Sequence, residues 1–212
     1  MTDHFQTLGL PRGPVVDQGL LKQRFLEASQ QSHPDQTTHT GSPPDGAGAR
    51  NDAQFVAVNA AYQCLRETRS RLEHLLVLES GAKPSSIQSM PEDWVSTGAD
   101  VMALGKGVDQ FLPSMTAEAP AMVRSQNFAR AMAWMQRADD LGLRLDHMSE
   151  LLEQEIVDLQ ARWGTQASTV EEREDRLKTL DRLYRKSSYL FKWTKLVKER
   201  QFQLNLKSLP PV

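Results

Sequence analysis

The sequence predicts an all-α protein. Apolar residues recur in steps of three and four over most of its 212 residues, and runs that alternate apolar with polar residues and favour β-branched types are nearly absent. With 39% hydrophobic and 25% charged residues, the composition is that of an ordinary globular chain, so the helices are expected to bury real cores.

A short first helix is expected around Asp3–Leu8, closed by the glycines and prolines of "GLPRGP". Asp17 is a plausible N-cap for the next helix, in which Leu20, Leu21, Phe25 and Ala28 fall at helical spacing while Lys22 and Arg24 lie on other faces. Pro34 must end this helix, because it has no backbone N–H to donate and disfavours helical geometry at His33 before it. The tripeptide His33-Pro34-Asp35 is therefore expected in a loop. "TTHTGSPPDGAGARN" continues as a connector. Asp52 is then the expected cap of a helix whose Phe55, Val58, Ala61, Tyr62 and Leu65 form a stripe able to face Leu21 and Phe25 in an antiparallel pair. A further helix over about residues 69–78 presents Leu72, Leu75 and Leu76 before "SGAKPSS" breaks the chain.

Residues 93–112 read as a helix interrupted by Gly98, Gly105 and Gly107, each unfavourable in a helix interior by up to about 1 kcal/mol relative to alanine. From about Ala121 to Trp163 a long helix is expected, with Gly142 as a bend point and a core stripe of Phe128, Met132, Met135, Leu141, Leu145, Met148, Leu152, Ile156 and Leu159. "STVEERED" opens the last helix, with Ser168 or Thr169 as cap and acids in the first turn. Its apolar side is expected to be Leu177, Leu180, Tyr184, Leu190, Phe191, Trp193, Val197 and Leu204. The two long helices need each other and, with residues 93–112, make a three-helix bundle.

Charge and cysteine usage exclude several functions. The last segment, residues 169–212, holds 11 basic against 6 acidic residues, yet it interleaves them and has no base-reading motif, so a helix packed on the acidic middle of the chain is expected rather than a nucleic-acid site. Cys64 is the single cysteine, so no internal disulfide forms; no paired-cysteine zinc spacing exists, and His4, His39, His74 and His147 lack metal-ligand spacing. The start "MTDHFQTLGL" reads as neither a secretory signal nor a transit peptide, and no window reaches the roughly 18 apolar residues of a membrane span. A cytoplasmic protein with no membrane contact, no metal and no cofactor is expected. An enzyme is not: His33 and Asp35 have no nucleophile in a recognisable setting, and Gly105-Lys106-Gly107 lacks a phosphate-binding pattern.

The order of a "HFQTLGLP" helix, an amphipathic helix ending in HPD, a loop and "VNAAYQCLRETRSRLEHLL" resembles the J domain of chaperone co-factors. Within that class it is most similar to the iron–sulfur co-chaperone HscB, whose third helix and exit run "INQAW-x-LR…RAEYLL". The matching positions are Asn59, Ala61, Leu65, Arg66, Arg71, Glu73, Leu75 and Leu76. The resemblance implies a J domain over 1–80, a linker over 81–92 and a C-terminal helical bundle over 93–212 that binds a client or partner. It also implies that His33, Pro34 and Asp35, with Lys22 and Arg24 of the preceding helix, dock on a DnaK- or HscA-type heat-shock chaperone and stimulate its ATPase, with an iron–sulfur scaffold as a candidate client. The scaffold-binding pattern of the family, "LME-x-x-E-L-R-E-E-L", does not occur here; Trp94, Met102 and Leu104 with Asp93, Asp100 and Asp109 stand in its place. The alternative is a helical interaction protein with a diverged J-like domain that no longer stimulates a chaperone.

Overall fold

A computed structural model describes residues 2–31, 47–82, 84, 90–116, 118–163 and 169–208. The protein is all-α. Its helices are α1 (His4–Thr7), α2 (Gln18–Gln31), α3 (Ala47–Arg66), α4 (Thr68–Ser80), α5 (Val95–Phe111), α6 (Ala121–Trp163) and α7 (Val170–Ser208). They form two compact units, residues 1–86 with 155–184, and residues 87–154 with 185–212.

In the first unit the helix ends follow local chemistry. Asp3 caps α1 by accepting from the backbone N–H of Phe5 and Gln6. Asp17 does the same for Leu20 at 2.7 Å, while Thr169 Oγ1 accepts from Glu172 N at 3.1 Å to start α7. Gly81 closes α4 in the left-handed region at φ 72°, where a side chain would be strained. The start of α3 differs from expectation: the helix begins at Ala47, so Asp52 lies inside it, the alanines and Arg50 of "AGARN" being good enough helix formers to extend it. The core of the unit comprises Phe5, Leu8, Leu21, Val58, Ala61, Leu65, Leu72 and Leu75. Phe25 stacks on Tyr62 with ring centroids 4.4 Å apart, which pairs α2 with α3 as their stripes require. Leu20 and Phe55, expected at that seam, are exposed.

The second unit packs α5 against α6 and α7. Helix α5 is uninterrupted, contrary to the reading of its glycines as breaks. Each of them is a seat for a large neighbour: a Cβ at Gly98 would stand 3.0 Å from Trp193, one at Gly105 3.3 Å from Leu196, and one at Gly107 would overlap the Trp134 ring. The packing gained offsets the helix-propensity loss of each glycine. Trp94 joins the same core, 5.8 Å from Trp193 by ring centroids and with the Lys186 ammonium 5.5 Å over its face.

On α6 the buried stripe is Ala131, Ala138, Leu141, Leu145, Leu152, Ile156 and Leu159, spaced alternately by three and four over most of its length. Phe128 and Met132, expected in the core, are 52% and 47% exposed. The first turns of α6 present instead the neighbouring stripe, where Asn127 Nδ2 donates to the Ser114 carbonyl at 2.7 Å, Ala131 is buried and Gly107 of α5 makes room for the Trp134 ring. Phe191 of α7 is likewise exposed, whereas Ser187 and Ser188 are buried, as are Leu190, Trp193 and Val197; Leu180 and Leu183, in the first unit, are buried too. Gly142 leaves α6 unbroken, and its missing side chain opens a groove of about 300 Å³ lined by Leu143, Leu145 and Val197, with Asp139, Asp146 and Lys198 around it. Arg200 of α7 meets an acid of the middle segment, lying 3.0 Å from Asp109 of α5, and the uncharged Gln201 Nε2 donates to Asp139 of α6 at 2.7 Å.

Candidate functional site

The segment that carries the functional reading joins α2 to α3. His33, Pro34 and Asp35 lie outside the described residues; the two helices that lead into and out of their segment are described. Lys22 and Arg24 both stand exposed on α2. Two residues apart on a helix, they are about 200° apart around its axis, so they flank the Leu21–Phe25 seam on opposite sides rather than forming one basic face. Arg24 Nη1 is held 3.2 Å from Glu27, whose other carboxylate oxygen accepts from Gln23 Nε2 at 2.8 Å. A surface pair of this kind contributes only about 0–1 kcal/mol.

What fixes the α2–α3 pair to the rest of its unit is Arg71 on α4. Its side chain is buried, with Nε donating to the Pro14 carbonyl at 2.8 Å, Nη1 to the Leu65 carbonyl at 2.8 Å and Nη2 to Thr68 Oγ1 at 3.3 Å. One guanidinium thus ties the loop before α2, the C-terminal turn of α3 and α4 together. Five donors in a rigid fork make arginine suited to this, and lysine is not its equivalent. The signal in the sequence is a charged residue on the same run as Leu72, Leu75 and Leu76, at a position of the "RAEYLL" pattern.

Helix α1 is held from two sides. Arg12 Nη2 lies 2.6 Å from Asp3, and although burial pushes the Asp3 carboxyl up, the Arg12 hydrogen bond and the N–H groups of Gln6 and Phe5 hold it below its ordinary 3.8. The backbone N–H of His4 donates to His74 Nε2 at 3.0 Å, and the two imidazoles lie 4.4 Å apart by centroids. Burial drives both imidazoles below their ordinary 6.5, with His4 adding to the effect at His74. Cys64 on α3 completes this corner, its thiol 3.5 Å from the Ser70 carbonyl. Residues that sequence spacing kept apart are brought together by the fold.

In the second unit, the residues of α5 and of the turn before it that replace the scaffold-binding pattern have other employment. Trp94 and Leu104 are core, Asp100 lies 2.6 Å from Arg144, and Asp109 pairs with Arg200; Met102 and Asp93 are exposed.

No family model matches the chain. Over 75 residues it is 35% identical to the co-chaperone protein HscB homolog of Vibrio atlanticus, a match that covers 35% of this chain and 42% of that protein. The chaperone HscB from Vibrio cholerae superposes on it with a TM-score of 0.54 and 19% identity, over 96% of this chain and 99% of that one. The chain shares the fold of that structure. The HscB-like fold runs through both units, while the sequence match to the Vibrio atlanticus protein spans less than half of that relative's length. Among the described residues, no helix is long and apolar enough to cross a membrane.

Proposed function

We propose that the protein is a J-domain co-chaperone: residues 1–80 engage a DnaK- or HscA-type heat-shock chaperone in its ATP state and stimulate hydrolysis, and the bundle over 93–212 brings the client. The observation that carries this is His33-Pro34-Asp35 between two helices paired through Phe25 and Tyr62, in a chain with an HscB-like fold. In this reading His33 and Asp35 supply a donor and an acceptor to a polar interface, and Pro34 restricts the free loop so that docking costs less entropy. The protein regulates a partner's ATPase and does no bond chemistry itself. Stimulation arises because the loop binds one state of the chaperone better than the other.

An iron–sulfur scaffold is the candidate client. Its recognition would not use an acidic run on α5, because Asp100 and Asp109 are paired within the bundle. Lys22 and Arg24, on opposite flanks of α2, add modest electrostatic steering at most. That thin basic surface favours a second reading, a J-like interaction protein that no longer stimulates a chaperone.

The deciding measurement is steady-state ATP hydrolysis by DnaK- and HscA-type chaperones from the same source, alone, with the protein and with its His33→Gln variant. Stimulation by the wild-type protein that disappears with His33→Gln is the expected result. Absence of stimulation of every such chaperone would leave the second reading.

A further inference from the structure

We propose that His4, Cys64 and His74 form a binding site for a borderline-soft divalent transition metal, zinc above all. One ligand atom from each residue lies within 4.8 Å of the other two. A tetrahedral zinc ion with bonds of about 2.0–2.3 Å holds its ligand atoms about 3.4–3.7 Å apart, so the three must close by about 1 Å, a shift that small side-chain rotations supply. Two imidazoles and a thiol are the nitrogen and sulfur donors that zinc prefers over the hard oxygen-seeking cations. Three protein ligands leave a fourth position for water or an incoming group.

The surroundings suit a cation. Both imidazoles are held below their ordinary 6.5 by burial, so they are neutral near pH 7; the His74 Nε2 lone pair accepts from the His4 backbone N–H, so an ion at His74 takes the place of that hydrogen bond or binds Nδ1 after a tautomer change. His4 Nδ1 is buried and has no hydrogen-bond partner among the described residues. The Cys64 thiol is pushed up to about 11 by burial and by the carboxylates of Glu73 and Glu67. A bound dication holds the thiolate and releases its proton to solvent, with the Glu73 and Glu67 carboxylates offsetting part of the desolvation and of the opposing Arg71 charge. The cluster is not part of the HscB resemblance: His74 stands where the "RAEYLL" pattern has tyrosine. It joins α1, α3 and α4, so an ion here would clamp the first helix onto the two behind it. The site does not depend on the co-chaperone reading.

The test is titration of the full chain, without a polyhistidine tag and stripped by chelator, with Co²⁺ as a spectroscopic probe and Zn²⁺ as competitor. A near-ultraviolet thiolate-to-cobalt charge-transfer band saturating at one ion per chain is expected, displaced by Zn²⁺ and abolished in Cys64→Ser. His4→Gln and His74→Gln should each weaken cobalt binding at least tenfold, and His147→Gln, on the exposed face of α6, should leave it unchanged. No band in the wild-type protein overturns the proposal, as does a band that survives with unchanged affinity in both His4→Gln and His74→Gln. Because the wild-type titration alone can decide against the site, a variant that fails to fold does not rescue it.

Discussion

Replacing Arg71 by methionine keeps most of the aliphatic stem and removes the fork. Two carbonyl groups, those of Pro14 and Leu65, then lose partners held at 2.8 Å in the interior, and Thr68 Oγ1 loses a weaker one at 3.3 Å. Each buried acceptor left unsatisfied costs about 1–3 kcal/mol. Relief from burying a guanidinium charge returns part of that. A net loss of about 3 kcal/mol is expected, which at a urea m-value of about 2 kcal/mol/M lowers the unfolding midpoint by about 1.5 M. Far-UV circular dichroism in urea measures this. Arg66→Met is the control, since Arg66 is exposed and its guanidinium, 5.8 Å over the Tyr62 ring, contributes about 0.5–1 kcal/mol. Arg71→Lys should fall between the two, because it keeps the charge but not the fork. A midpoint for Arg71→Met equal to that of Arg66→Met would refute the assignment of Arg71 as the tie among the loop before α2, α3 and α4.

Two glycine substitutions should have opposite signs. Gly107→Ala drives a methyl into the Trp134 ring and should cost about 1–3 kcal/mol with a changed Trp134 environment, whereas Gly142→Ala, which meets nothing within 4 Å, should stabilise by about 0.5–1 kcal/mol. Equal effects in thermal unfolding would mean that helix propensity alone governs both positions. A pH dependence follows from the His4–His74 pair: folded pKa values below the unfolded 6.5 mean that the unfolded chain binds more protons as pH falls through that value, so stability is full above about pH 7 and lost below it. With chelator present, the urea midpoint should fall between pH 7 and 5.5, and His74→Gln should flatten the slope; a midpoint that rises over this interval contradicts buried neutral imidazoles.

The site was legible in part. The HPD segment, its flanking helices and the Phe25–Tyr62 stripe are local or periodic features, and periodic apolar residues on two neighbouring helices have few ways to meet. Arg71 appeared in the sequence only as a matching position, because whether an arginine lies on water or in a core depends on the carbonyl groups that reach it, and Pro14 is 57 residues away. His4 and His74 are separated by 70 residues, and no spacing rule links them. Lys22 and Arg24 stand on opposite flanks of the α2 seam because neighbours in sequence at a separation of two are not neighbours on a helix.

By itself the sequence determined the helical class, the cap at Asp17, a cap at Ser168 or Thr169, the long helices and the single-cysteine chemistry, since each depends on contacts within a few residues or on a period of 3.6. Only the tertiary structure decided which of two adjacent stripes of α6 is buried, that the glycines of α5 are seats rather than breaks, and that Cys64 stands with two histidines. Phe128 and Ala131 are equally well spaced for a core. What selects between them is the neighbour each would meet: Ala131 is buried while Phe128 is exposed, at the end of α6 where Trp134 approaches Gly107.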